Sequence, residues 1–291
     1  MKRKIGCIGV GRMGGGVCHN LIEAGNEVSV FDANKESMEQ FRDAAYLASS
    51  PDEAFSRSDV IFLSLPNSNV VERVMEGFFA LGVKDKLIVD VSTSYPGSTR
   101  KLHARMVEGG GNMIDSPLLA GPKEAWAGTL PAALGGDEDV VMMYYDMFTS
   151  FTGEHKYMGK SGSGHLVKLA QNWEGLVQAI MYAQIYPIMA KEGMSPEKTY
   201  EVLNTKFFAN WFFEVYSQKF IKREFAPAFA LELGLKDLTY MKKLCDEQGV
   251  PGFLLDGAID LCRITLKEHK DQNRFADMSS VCETMYQYVG L

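Results

Sequence analysis

The stretch that most constrains this 291-residue chain lies near its start: Gly9-Val10-Gly11-Arg12-Met13-Gly14, between the apolar run Ile5–Gly9 and a helical pattern. Glycines at these three spacings let a strand turn tightly into a helix, let backbone approach a bulky anion, and let helix pack on strand. The helix N-terminus then offers oriented N–H groups to that anion. Asp32 closes the next apolar run, Val28–Phe31, 18 residues after Gly14. A carboxylate there accepts hydrogen bonds from ribose hydroxyls and repels a 2′-phosphate. Together these features predict a dinucleotide site built from Gly9, Gly11, Arg12, Met13, Gly14 and Asp32, and favour NAD over NADP. Ala33, not arginine, follows Asp32, which removes the usual partner of a 2′-phosphate; Lys35 remains as a partial substitute.

More short apolar runs follow: Val60–Leu65, Leu87–Val91 and Met113–Ile114, with Pro131–Leu134 as one further strand at the sheet edge. Each is rich in Val, Ile, Leu or Phe, as strands buried on both faces are. Stretches such as Val17–Ala24 and Lys35–Ala45 are long enough for crossover helices. Strand-helix alternation of this kind predicts an α/β domain, a Rossmann-type doubly wound parallel sheet, over residues 1–161. Glycines 159, 162 and 164 then mark a hinge-like loop, and the texture changes. His165–Lys191, Pro196–Leu203, Leu231–Gln248 and Leu254–Glu268 read as helices. Residues 162–291 are therefore predicted to form an all-helical substrate and oligomerisation domain, joined through a long helix.

Lys plus Arg number 30 against 37 Asp plus Glu, a net charge of −7, which argues against a nucleic-acid partner. No apolar run reaches the roughly 18 residues of a membrane span. The basic N-terminus runs straight into the glycine loop without the apolar region of a secretion signal. Five cysteines without a C-x-x-C spacing read as reduced, mostly buried thiols, and hence as a cytoplasmic protein. The five histidines show no metal-ligand spacing, so no metal is expected. Phe207–Phe213 and Met181–Met189 carry more apolar surface than a domain of this size can bury, which predicts a homodimer or homotetramer.

The sequence resembles the β-hydroxyacid dehydrogenase family, which includes 3-hydroxyisobutyrate dehydrogenases, tartronate semialdehyde reductases and sulfolactaldehyde reductases. Seven motifs carry the resemblance, in order along nearly the whole chain. Ile8–Gly14 resembles the cofactor loop, Leu65-Pro66 a Leu-Pro beside the cofactor, and Asp90-Val91-Ser92-Thr93 an Asp-x-Ser-Thr whose threonine lies at the nicotinamide end. Asp115-Ser116-Pro117 through Leu130 resembles the substrate loop, and Gly162-Ser163-Gly164-His165-Leu166-Val167-Lys168, then Asn172, the catalytic helix. Lys236-Asp237-Leu238 and Asp277–Val281 resemble the two C-terminal signatures. The resemblance implies hydride transfer between a nicotinamide and a small β-hydroxy acid or its semialdehyde. It makes Lys168 the acid/base, with Asn172 one helical turn on holding the substrate oxygen. Lys236 stands near cofactor and substrate, and Asp237 pairs with it or with nearby backbone. His165, three residues before Lys168 on roughly the same helix face, either tunes the lysine or, as the favoured reading, is a loop-edge histidine without a catalytic role.

The substrate loop departs from the family pattern, which reads Asp-Ala-Pro-Val-Ser-Gly-Gly. Here Ser116, Leu119, Ala120, Gly121 and Lys123 are the candidate substrate contacts, with Leu119 where the acid-gripping serine would stand and Ala120 in place of a glycine. Glu124-Ala125 replaces a Gly-Ala. A leucine cannot bond an acid oxygen, so the substrate is expected not to be standard hydroxyisobutyrate. Either a bulkier or less polar group sits there, or Lys123 or Lys236 holds an anion instead. Two other readings stand beside the dehydrogenase: an imine reductase, against which Lys168 counts, and a non-catalytic cofactor-binding module.

Overall fold

This computed structural model describes residues 2–207, 209–226 and 228–291. The chain divides into two compact units, Met1–Lys168 and Leu169–Leu291. The first runs β1 (Lys4–Ile8), α1 (Gly14–Glu23), β2 (Glu27–Phe31), α2 (Lys35–Glu39), β3 (Tyr46–Leu47), α3 (Pro51–Ser56), β4 (Val60–Leu63), α4 (Ser68–Leu81) and β5 (Leu87–Asp90). It continues through α5 (Pro96–Glu108), β6 (Asn112–Asp115), α6 (Pro122–Ala127), β7 (Leu130–Gly135), α7 (Glu138–Met143), α8 (Tyr145–Phe148) and β8 (Thr152–Gly159) into α9 (Ser163–Lys191).

The strands form one sheet in the order β3-β2-β1-β4-β5-β6-β7-β8. β1 to β6 are parallel, with Ile5 of β1 in register between Val28 and Val60. β4 and β5 are buried at every residue, which is why they read as unbroken apolar runs rather than alternating ones. From β1 the strand order proceeds outward in both directions, so the topological switch lies between β1 and β4, where Gly9 stands. The α/β reading with a doubly wound sheet thus holds.

The edge differs from the expectation. Pro131–Leu134 lies in β7, which is antiparallel to β6 and covered by β8, so β8 is the edge strand. β8 reads Thr-Gly-Glu-His-Lys-Tyr-Met-Gly and buries only its first residue fully, so it offers no apolar run to recognise. Lys35–Ala45 yields a single five-residue helix, because few residues there, Met38, Phe41 and Ala45, have core to pack on.

The second unit contains the rest of α9, then α10 (Pro196–Leu203), α11 (Trp211–Lys222), α12 (Leu231–Glu247), α13 (Phe253–Asp271) and α14 (Ser280–Tyr288). Its core is built on Leu176, Ile180, Tyr186, Phe213, Phe220 and Leu238. The Phe207–Phe213 stretch divides: Phe213 is buried, Phe207 and Trp211 are exposed, and Phe208 lies outside the described residues. Gly175 admits the Phe212 ring against α9, since a Cβ there would lie 2.0 Å from it.

Asp277 is the polar anchor of this unit. Its carboxylate accepts the N–H groups of Ala228 and Phe229, the Ser279 hydroxyl at 2.6 Å, and Lys219 Nζ at 2.9 Å. Burial alone would raise its pKa, but these donors outweigh burial and hold it below the ordinary aspartate range. A depressed carboxyl stabilises the fold above the unfolded value near ~3.9 and loses that contribution as pH falls through the folded value. Acid titration followed by circular dichroism should therefore show Asp277→Asn flattening the loss of helix below pH ~4 while lowering Tm at neutral pH.

Candidate active site

The glycine loop is shaped by sterics at two of its three glycines. Gly9 has φ +85°, and a Cβ there would lie 2.2 Å from the Ser64 carbonyl oxygen. At Gly14 it would lie 2.0 Å from the Gly9 carbonyl oxygen. Gly11 is different: a Cβ would meet nothing within 4 Å. The fold itself therefore does not require a glycine at 11, whereas close approach of a diphosphate would. Met13 at the start of α1 makes no side-chain cap, and the Gly15 and Gly16 N–H groups donate to the Gly11 and Met13 carbonyls at 2.7 and 3.1 Å, which closes the loop tightly onto the helix. Arg12 is exposed beside them and Met13 half-buried. Asp32, half-buried at the end of β2, accepts the Val10 N–H and the Asn34 N–H, each at 2.8 Å. The chain thus presents what a dinucleotide needs: a tight glycine turn at the switch point of the sheet and an acid fixed to that turn through the Val10 N–H.

The neighbouring strand ends are tied together. The Leu65 N–H donates to Ser92 Oγ at 2.9 Å, and the Ser92 N–H to Asp90 Oδ1 at 3.0 Å. This links the Leu65-Pro66 turn to the segment that carries half-buried Thr93. Trp126 adds a contact that sequence reasoning did not find. Its Nε1 donates to the Arg12 carbonyl at 3.2 Å, and a Cβ on Gly16 of α1 would lie 2.6–2.8 Å from Ala125 and Trp126 backbone. So α6 is seated on the helix of the glycine loop; the only sequence signal was a tryptophan beside the substrate loop.

The substrate loop is held along β7. Leu118 pairs with Ala132, and the Leu119 N–H donates to the Pro131 carbonyl at 3.1 Å. Ser116 is fully buried, with its N–H on the Asp90 carbonyl at 2.8 Å and its hydroxyl without a hydrogen-bond partner. Leu119, Ala120 and Gly121 are half-buried, and Lys123 is exposed. The Gly121 N–H donates to Glu124 Oε2 at 3.2 Å, so Glu124 caps α6 and places its carboxylate on that loop donor.

Lys168 is half-buried on α9, which runs unbroken past Asn172. In the helical unit Asn172 Nδ2 donates to Asp237 Oδ2 at 2.6 Å, and Lys236 Nζ stands 3.2 Å from Asp237 Oδ1. Asp237 is buried, so the pair is not a solvated surface pair. An ionised carboxylate only accepts, which fixes the Asn172 amide with nitrogen toward Asp237. Lys236 also lies 5.7 Å from the Tyr240 ring centre. Among the described residues no cluster of metal-ligating side chains forms, and no helix is long and apolar enough to cross a membrane. All five cysteines are buried free thiols, and burial pushes Cys262 up to about 12, which keeps it protonated.

His165 is not at a loop edge. It is completely buried, with Nδ1 on Thr99 Oγ1 at 2.7 Å and Nε2 at 3.7 Å from Asp90 Oδ2. The glycines on either side hid this, because they look like solvent-exposed loop.

Residues 4–159 match the NAD binding domain of 6-phosphogluconate dehydrogenase, and residues 162–284 match the family described as NAD-binding of NADP-dependent 3-hydroxyisobutyrate dehydrogenase. The chain is 30% identical to the 2-(hydroxymethyl)glutarate dehydrogenase of Eubacterium barkeri, over 85% of this chain and 84% of that one. It is 30% identical to the 2-hydroxy-3-oxopropionate reductase of Escherichia coli, over 81% and 82%. This chain belongs to the β-hydroxyacid dehydrogenase family. Among solved members, a Mycobacterium tuberculosis 3-hydroxyisobutyrate dehydrogenase with L-serine superposes with a TM-score of 0.87, at 26% identity over 98% of this chain and 99% of that one. As in the β-hydroxyacid dehydrogenases generally, a nucleotide-binding sheet precedes a helical region, and the first is an NAD-binding domain.

Proposed function

We propose that this protein is an NAD-dependent oxidoreductase acting on a small β-hydroxy acid or its semialdehyde. The observation that carries the reading is Lys168 one turn before Asn172 on unbroken α9, with Asn172 oriented by buried Asp237. When bound, the nicotinamide supplies or takes up the hydride. Gly9, Gly11, Arg12, Met13 and Gly14 would hold its diphosphate, Asp32 its ribose, and Leu65, Pro66 and Thr93 would flank the nicotinamide end. In reduction Lys168 gives a proton to the substrate oxygen as the carbonyl carbon is reduced; in oxidation it takes that proton back. Asn172 positions the same oxygen, and the Ser116–Lys123 loop would contact the rest of the substrate. NADH oxidation against 2-hydroxy-3-oxopropionate, with NAD reduction against 2-(hydroxymethyl)glutarate, 3-hydroxyisobutyrate and L-serine, tests the reading. No turnover on any β-hydroxy acid or semialdehyde, with NADH bound, refutes it.

Asp32 supports a choice of cofactor. Its carboxylate is locked in place by two backbone N–H groups, so it cannot swing away from a 2′-phosphate. Titration of NADH and NADPH should show at least a tenfold preference for NADH, about 1.4 kcal/mol, which Asp32→Ala narrows. Equal affinities contradict this.

The assembly we favour is a homodimer or homotetramer, and the five buried thiols fit the cytoplasm. Phe207 is 78% exposed and Trp211 68%, with Met181 exposed on α9. Phe253 and Leu254 on α13, which sequence reasoning did not single out, are also exposed. Light scattering at micromolar concentration should give a multiple of 32.3 kDa, and a clean monomer would overturn the assignment.

A further inference from the structure

α9 begins without a side-chain cap of its own. Gly162 accepts the first helical bond, from the Leu166 N–H at 3.0 Å, and so occupies the capping position, where glycine has nothing to offer the orphan N–H groups. The cap comes from elsewhere. Asp115, the last residue of β6, accepts the Gly162 N–H on Oδ1 at 2.8 Å and the His165 N–H on Oδ2 at 3.0 Å. Its carboxylate is 1% exposed and places a negative charge at the positive end of the helix.

Two glycines make room for this contact, and a third supplies the turn. Gly162 has φ +88°, which a side chain would strain. A Cβ on Gly135 would lie 2.6 Å from Asp115 Oδ1, and one on Gly164 would lie 2.9 Å from Oδ2. The same turn is gripped a second time: His165 bonds Thr99 of α5 and faces Asp90 at the end of β5. At that φ a serine at 162 could not take up the extended conformation of a capping residue, so no local side-chain cap is open to this helix. A buried carboxylate instead ties the helix start to the sheet, one residue before Ser116 opens the substrate loop. Lys168 follows His165 by three residues, so the two are neighbours on α9.

We propose that Asp115, with the His165–Thr99 contact, is a positioning device that sets where Lys168 stands relative to the substrate loop. This rests on the reading of Lys168 as the proton donor. Asp115 touches neither substrate nor cofactor in this scheme; it acts through the first turn of α9. Misplacement by an ångström at a reacting group is enough to cost two orders of magnitude.

The test compares Asp115→Asn, Thr99→Val and Lys168→Ala with the wild-type protein, on whichever of the four substrates above the wild type turns over fastest. NADH binding stoichiometry counts folded sites, and kcat is expressed per site. Asp115→Asn keeps the size of the side chain but turns an NH₂ toward one of the two backbone donors. Its kcat per site should fall about 10- to 100-fold, with NADH affinity within twofold. Thr99→Val should lose about 3- to 10-fold in the same pattern, and it decides the matter if Asp115→Asn does not fold. A purely structural role would lower the number of NADH sites and leave kcat per site unchanged, and that result overturns the proposal. Lys168→Ala separates the two readings. If it stays active, the assignment of Lys168 fails and the positioning role fails with it. If it is inactive while Asp115→Asn and Thr99→Val are normal per site, only the positioning role fails.

Discussion

Lys168→Ala should lower kcat by about 10²–10⁴-fold, the usual loss when a positioned general acid or base is removed. Cofactor affinity should stay within a few-fold, because the contacts proposed for the dinucleotide are in the glycine loop and at Asp32 rather than on α9. Lys168→Arg should not restore activity, since a guanidinium does not release its proton near neutrality. Asn172→Ala should cost less and act partly through KM. The 2.6 Å bond to Asp237 holds the amide in a set orientation, and an amide can align a substrate oxygen but does not carry a proton near neutrality. The measurement is steady-state kinetics beside NADH titration for all three variants. Near-full turnover by Lys168→Ala would move the donor role to water, because His165 is buried with Thr99 on its Nδ1. Loss of NADH binding would instead assign Lys168 to the cofactor site.

What the sequence made legible follows from where the physics is local. Glycine spacing, a carboxylate at a strand end and apolar runs are properties of neighbouring residues, so the glycine loop, Asp32 and the inner strands could be read directly. β8 could not, because an edge strand with alternating polar residues has no apolar run, and without it Pro131–Leu134 looked like the margin. α11 was hidden under its aromatics: Phe212 and Phe213 pack inward while Trp211 is exposed, which blurs the helical period. His165 was misread because its burial depends on partners at 90, 99 and 115, tens of residues away. The same holds for Asn172, whose partner Asp237 stands 65 residues on. Motif order placed these residues in a list of candidates; only the fold shows which of them hold one another.

The substrate loop carries the second large effect. 3-Hydroxyisobutyrate should be a poor substrate, and Leu119→Ser with Ala120→Gly should improve it. The family resemblance sets the acid group of the substrate against residues 119–121. A serine there gives that anion a hydrogen bond worth roughly 1.5–3 kcal/mol, which is one to two orders of magnitude in affinity. Leu119 offers none, and its N–H is spent on the Pro131 carbonyl. The Gly121 N–H is spent as well, on Glu124, whose own charge opposes a second carboxylate at the same donor. The double substitution should therefore recover only part of the loss. Adding Glu124→Gly, which releases the Gly121 N–H, should raise kcat/KM on 3-hydroxyisobutyrate further. The competing arrangement has Lys123 take the acid group. Lys123 is exposed, where an ion pair is worth about 1 kcal/mol or less, too little to replace the lost contacts. Kinetics on 3-hydroxyisobutyrate decide between them. If Lys123→Ala abolishes activity on small acids and the Leu119, Ala120 and Glu124 changes gain nothing, Lys123 holds the substrate. If the wild type already turns over 3-hydroxyisobutyrate efficiently, the loop does not set specificity in this way. The expected result is a stepwise gain from wild type to double to triple variant, largest in KM, with kcat per site nearly constant because Lys168 and its helix are untouched.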